Sequence, residues 1–215
     1  MKNFVLLTGM LFFMSFDLGS KLLSKIPFYE KDSYFKTKVY REKTWKEFYT
    51  MKEAQQIVNP ADYDFHLLNA AFFYATNKLR EERKVKPLQF SEALRDAAVL
   101  HTHEMVTKKF FSHYNNNGSP KIRTPKQRIL LFAGTEQLGL SGENCDENFV
   151  EPYEPLTYIQ VAERITKDLY DSPPHRANML EKGFRHLGCA VIFEQPRGKN
   201  EAVYLKATQD FTSNI

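Results

Sequence analysis

Two cysteines in 215 residues exclude a zinc site made of four thiolates. They leave one intramolecular bridge, Cys145 with Cys189, or a pair of buried free thiols. Nine glycines and ten prolines are too few for a fibrous or disordered chain. No internal repeat or low-complexity segment is present, and nothing spells a metalloprotease helix, a nucleotide loop or a nucleophile elbow. Thirty basic residues against 26 acidic ones give a formal charge of +4, and they are interleaved rather than gathered in a stripe. That argues against a nucleic-acid partner, although weak attraction to anionic wall polymer or lipid headgroups is allowed. The longest apolar run, residues 4–16, has thirteen mostly apolar residues. A bilayer span wants about 20.

That run follows Met1-Lys2-Asn3 and precedes Gly19-Ser20, which is the layout of a signal peptide over residues 1–20. An uncleaved anchor and a buried strand are the alternatives. Export places the protein outside the cell or in the envelope, with membrane contact only through an uncleaved N-terminus. The remainder has the composition of one soluble domain, expected to be monomeric, and 18 Phe with 11 Tyr predict a core built on rings. Residues 21–60 hold Phe28, Tyr29, Tyr34, Phe35, Tyr40, Trp45, Phe48 and Tyr49, too many rings for a free linker. They read as an extension packed on a main domain of residues 61–215, with a short helix around Trp45, Phe48 and Tyr49.

In the main domain, Leu67, Leu68, Ala71, Phe72, Ala75 and Leu79 mark a helix that ends before Pro87. A second runs from Ser91, a good N-cap, to Lys108, carrying Leu94, Ala97, Ala98, His101 and Met105 on one face. His101 there reads as a satisfied core histidine. Residues 115–120 are a loop, 123–132 a short helix, and a helix from Thr157 stops at Ser172-Pro173-Pro174. Residues 188–193 and 202–211 read as a strand pair around a turn. Helices first and a hairpin last give an α+β class with an antiparallel sheet.

Three short segments place titratable residues beside rings or turn residues: Phe110-Phe111-Ser112-His113, Gly142-Glu143-Asn144, and Ser172-Pro173-Pro174-His175-Arg176-Ala177-Asn178. Together with Asn77, Arg80 and Pro87-Leu88 before them, Arg128-Ile129 between them and His186-Leu187-Gly188-Cys189-Ala190 after them, they resemble the CAP superfamily of cysteine-rich secretory proteins, antigen 5 and pathogenesis-related 1 proteins. The likeness is to its bacterial, secreted, cysteine-poor branch. It implies an α-β-α sandwich with a central antiparallel sheet flanked by helices, including a strand near residues 142–145. A Cys145–Cys189 bridge is possible if that strand lies close to the one carrying Cys189.

The resemblance also implies an open groove lined by His113, Glu143 and His175, in which the two histidines bind Zn²⁺ or another divalent metal in some members. The fourth, acidic member is not fixed by any motif; Glu163 and Asp168 are the candidates. Pro174 stands where glycine is common, and Leu169 where tryptophan is usual. Asn144, Arg176 and Asn178 read as structural, since an amide ties down backbone and an arginine can clamp a carboxylate. A binding module for an envelope component, a lipid or a peptide is the expected function. A metal-dependent hydrolase with Glu143 as base, and an interaction domain with a vestigial groove, are the alternatives.

Overall fold

A computed structural model describes residues 18–196, 198 and 200–215. The apolar run of the expected signal segment, residues 4–16, lies outside the described residues. Among the described residues, no helix is long and apolar enough to cross a membrane.

After a helical stretch over residues 18–23 and a short 3-10 turn at Tyr34–Lys36, the helices are α1 (Lys38–Glu42), α2 (Trp45–Tyr49), α3 (Phe65–Glu82), α4 (Glu92–Thr107), α5 (Pro125–Ala133), α6 (Tyr158–Asp171) and α7 (Pro173–Leu180). The strands are β1 (Gln89–Phe90), β2 (Ser141–Val150), β3 (His186–Phe193) and β4 (Val203–Thr212). The helix starts follow local chemistry. Asp64 accepts from the His66 and Leu67 amides, Ser91 accepts from Leu94, and capping boxes pair Thr124 with Gln127 and Thr157 with Gln160. The two prolines at 173 and 174 open α7 rather than merely ending α6, because the first turn of a helix needs no partner for its N–H groups.

The sheet order is β1-β3-β4-β2. β2, β4 and β3 are antiparallel, whereas β1 joins β3 in parallel over only two residues. Beyond β1, the open edge of β3 is covered by side chains: the Val191 amide donates to Asn69 and the Phe193 amide to Tyr63. Helices lie on both faces. Leu187, Cys189, Val191 and Phe211 pack with α3 and α6 on one face, and Ala190 and Ile192 pack with α4 on the other. Gly188 lets α4 approach the sheet, since a Cβ there would sit 2.0 Å from the Arg95 amide nitrogen.

Residues 21–60 supply Leu23, Ile26 and Tyr29 to one apolar cluster and Phe35, Val39 and Phe48 to the other. Tyr74 Oη donates to the carbonyls of Val39 and Lys43, and Tyr29 Oη donates to Asp96.

Of the two alternatives the sequence left open for Cys145 and Cys189, a bridge or a pair of buried free thiols, the structure has the free thiols. β4 runs between their strands, so at about 4.8 Å per strand the two Cα atoms stand about 10 Å apart, past the reach of a disulfide. They also face different layers. Cys145 is opposite Thr208 and Cys189 opposite Gln209, and adjacent residues of β4 point to opposite faces.

Candidate functional site

Glu143 is the centre of a buried polar cluster on the β2 edge of the sheet, with its side chain 2% exposed. Helix α5 brings Arg128, fully buried, to donate from Nη2 to Glu143 Oε2 at 2.6 Å. The same guanidinium donates to the His113 carbonyl at 3.0 Å and the Ile122 carbonyl at 3.1 Å, so it also shapes the loop after α4. That loop begins with Lys109 at φ 53°, a left-handed residue that turns the chain back over the end of α4. His101 on α4 then reaches the Ser112 carbonyl through Nε2 at 2.9 Å. His113 is set with Nδ1 2.9 Å from Glu143 Oε1.

Both Glu143 oxygens are therefore occupied, and the Cys145 thiol adds a contact to Oε1 at 3.5 Å. His113 keeps Nε2 free among the described residues, on a side chain 42% exposed.

The electrostatics follow from these contacts. Burial pushes the Glu143 carboxyl up, but the His113 hydrogen bond and the Arg128 charge outweigh it and hold it below the usual range. Its hydrogen bond to Glu143 raises His113, favouring the imidazolium. Burial lowers His175, and the charge of His113 adds to the effect. Burial takes His101 down to about 4 and pushes the Cys145 thiol well up.

Asp210, directly opposite Glu143 in the ladder, is fully buried, and its oxygens meet no N–H donor. Burial and the Glu143 charge push its carboxyl well up, which favours the neutral acid.

His175 reaches the same region through its helix. Asn144 donates to the His175 carbonyl at 3.1 Å and to Gln209 Oε1 at 3.0 Å. Asn178 donates to the Glu143 carbonyl at 3.3 Å and to Asn144 Oδ1 at 2.9 Å. Gln209 passes the chain of amides to Thr76 on α3 at 2.7 Å. Among the described residues the His175 ring itself joins no hydrogen bond, and it feels His113 only through charge.

Glu163 is not part of this cluster: it pairs with Lys78 at 2.6 Å, on the flank where α3 meets α6. Asp168 bonds Asn148. Arg176 donates to the Tyr170 carbonyl at 3.0 Å and lies over its ring, with no carboxylate partner among the described residues.

Three members of the cluster carried no functional reading from sequence: Arg128, His101 and Asp210. The one available signal for Asp210 was an acid between Gln209 and Phe211 on a late, otherwise buried strand.

The ligand atoms of His101, Glu143 and Cys145 lie within 4.8 Å of one another, so this cluster could hold a divalent ion. The fit has a cost: Arg128 already neutralises the carboxylate, His101 Nε2 faces a carbonyl, and the thiol would have to ionise against its burial.

Residues 73–206 match the model of the family described as CAP, the cysteine-rich secretory protein family. The Bacillus subtilis protein YkwD is 27% identical over 117 residues, which are 54% of this chain and 39% of that protein. The chain thus spans about two fifths of the length of that relative. Among solved structures, an extracellular protein with an SCP domain from Bacillus anthracis is 22% identical with a TM-score of 0.49, over 72% of this chain and 44% of that one. An outer surface protein from Borrelia burgdorferi is 15% identical with a TM-score of 0.48, over 66% of this chain and 90% of that one. The family match takes in every residue of the Glu143 cluster except Asp210, and on its extent the chain belongs to the CAP family of cysteine-rich secretory proteins.

Proposed function

We propose that this protein is an exported binding module whose groove presents the His113 and His175 imidazoles to an envelope component of lipid or peptide chemistry. One observation carries the reading. Glu143 is 2% exposed with both oxygens taken, so it serves as the orienting partner of His113 rather than as a base open to water. The Glu143 hydrogen bond favours protonation of His113, and the protonated ring would donate from Nε2 to a phosphate, carboxylate or carbonyl oxygen. The export part rests on the leader pattern of residues 1–20 and on the secretory description of the family.

A second reading has its own support. A carboxylate holding one ring nitrogen is the usual setting of an imidazole that binds metal through the other, and His175 is the neighbouring ring. Two protein ligands completed by water would bind zinc weakly and reversibly.

Calorimetric titration separates the two, using the protein and its His113→Ala/His175→Ala double variant. For the binding module, detergent-free phospholipid or wall-peptide fragments bind to the protein and not to the variant, and no product forms. Stoichiometric zinc binding lost in the variant favours the metal reading instead. Turnover of any fragment that disappears in Glu143→Gln would overturn the proposal in favour of a hydrolase.

A further inference from the structure

The interleaving of charge along the chain has one gap. From Met105 to Thr135 there are six basic residues and no acidic one, in a protein with 26 acidic residues. The fold gathers this stretch at the C-terminal end of α4. The Arg123 carbonyl accepts the Asn115 amide at 2.9 Å, and Arg128 holds the Ile122 and His113 carbonyls at 3.1 and 3.0 Å. The returning segment with Lys121 and Arg123 therefore lies beside the outgoing one with Phe111 and Tyr114.

The acids that reach this region from neighbouring elements are already matched. Glu104 takes Lys108 and Asn115, Glu143 takes Arg128 and His113, and Glu147 and Glu194 share Lys206. Glu136, the next acid along the chain, lies past the far end of α5. Lys109, Lys121, Arg123 and Lys126 are exposed, and among the described residues none is within ion-pair distance of an acid. Four cations are left unbalanced.

Two of them stand where local chemistry resists them. Lys109 has φ 53°, a conformation that glycine adopts at less cost. Lys126 is in the first turn of α5, where the helix dipole disfavours a positive charge and no acid offsets it. Beside them two rings meet water. Phe111, with Lys206 Nζ 5.8 Å from its centroid, is 50% exposed, and Tyr114 is 55% exposed. A soluble polyanion would engage the cations and gain little from the rings. An anionic bilayer engages both, because rings settle at the headgroup level while lysine and arginine meet the phosphates.

We infer that the loop after α4 docks this protein on an anionic lipid surface, with Phe111 and Tyr114 in the headgroup layer and Lys109, Lys121, Arg123 and Lys126 on the phosphates. The contact is made by the loop's own cations and rings, so it does not rest on the reading of the groove.

The test is sedimentation of the full chain with vesicles of pure phosphatidylcholine and of phosphatidylcholine mixed with phosphatidylglycerol. Any apolar contribution from residues 4–16 is common to both and cancels in the comparison. The anionic vesicles are expected to bind about tenfold or more tightly, a preference that fades with added salt. Lys109→Gln/Lys121→Gln/Lys126→Gln should remove most of it, since each lysine near a charged membrane is worth about fivefold. Lys52→Gln/Lys84→Gln/Lys86→Gln, an equal loss of charge from exposed lysines after α2 and α3, should keep it. Lys109→Gly suits the backbone at that position, so it should weaken anionic binding about fivefold with no fall in the unfolding midpoint. Phe111→Ser/Tyr114→Ser should weaken vesicle binding and spare binding to soluble poly-glutamate. Equal affinity for the two vesicle types, a preference that survives the loop triple variant or is lost in its control, or full vesicle affinity in the ring variant would each overturn the inference. So would loss of the preference in His113→Ala/His175→Ala, which would assign the lipid to the groove instead.

Discussion

Arg128 holds together three successive pieces of chain: its own helix, the loop from His113 to Arg123, and β2 through Glu143. Removing one partner of a buried ion pair strands the other charge without water, at a cost of about 3–5 kcal/mol. Arg128→Ala should lose that much in urea unfolding, a large share of the total stability of an ordinary domain. A loss under about 1 kcal/mol would mean that the pair is not what fixes the site. The arginine was visible in the sequence only as part of a motif, and its partner lies fifteen residues on, in another element. Asp210 is harder still. An acid becomes part of the site there only because β4 lies beside β2, and strand pairing is not written in local spacing.

At the scale of elements, the helices were the legible part. α3, α4 and α6 carry apolar residues at helical period, and Ser91 and Thr157 are caps visible one residue before each start. β2 was not legible from its residues: Ser-Gly-Glu-Asn-Cys-Asp-Glu-Asn mixes polar groups on both faces, because one face builds the Glu143 cluster and the other the Asn144 chain of amides. Only the family resemblance pointed to a strand there, and it placed the strand near residues 142–145 rather than over the full length of β2.

Two glycines test how the elements meet. A Cβ on Gly188 would press into backbone, 2.0 Å from the Arg95 nitrogen and 2.2 Å from the Leu94 carbonyl carbon. A Cβ on Gly142 would meet the Phe184 ring at 3.0 Å and the Asn178 amide at 3.1 Å, groups that can move aside. Thermal melts should show Gly188→Ala destabilised by about 3 kcal/mol or more and Gly142→Ala by about 1 kcal/mol. Equal losses would mean that α4 is not seated on β3 as described.

For the whole molecule, acid response is the accessible global readout. His66, buried with Nε2 on the Tyr29 carbonyl, has its pKa lowered to about 4, first by burial and then by Arg95. Between the unfolded value near 6.5 and that folded value, the unfolded chain binds a proton that the native one refuses. Stability due to this group is therefore complete above about pH 6.5 and falls as the pH drops toward 4. The loss amounts to about 3 kcal/mol at most, because each tenfold change in proton affinity is worth about 1.4 kcal/mol. Asp146, raised to about 6 by burial, works with the opposite sign over the same range, so the wild-type curve alone does not isolate His66. The difference between wild type and His66→Gln does. Urea midpoints at about pH 7 and about pH 5 should draw together in the variant, and an unchanged gap would refute the assignment.

The two thiols that fail to meet give the molecule something a bridge would have removed. Cys145 looks into the layer under α4 and Cys189 into the layer under α3 and α6, and both are sealed from solvent. A small alkylating reagent added during slow unfolding would mark each sulfur only when its own layer parts. Mass spectrometry of the two peptides would then time the opening of the two sides of the sheet separately, with no label engineered into the chain.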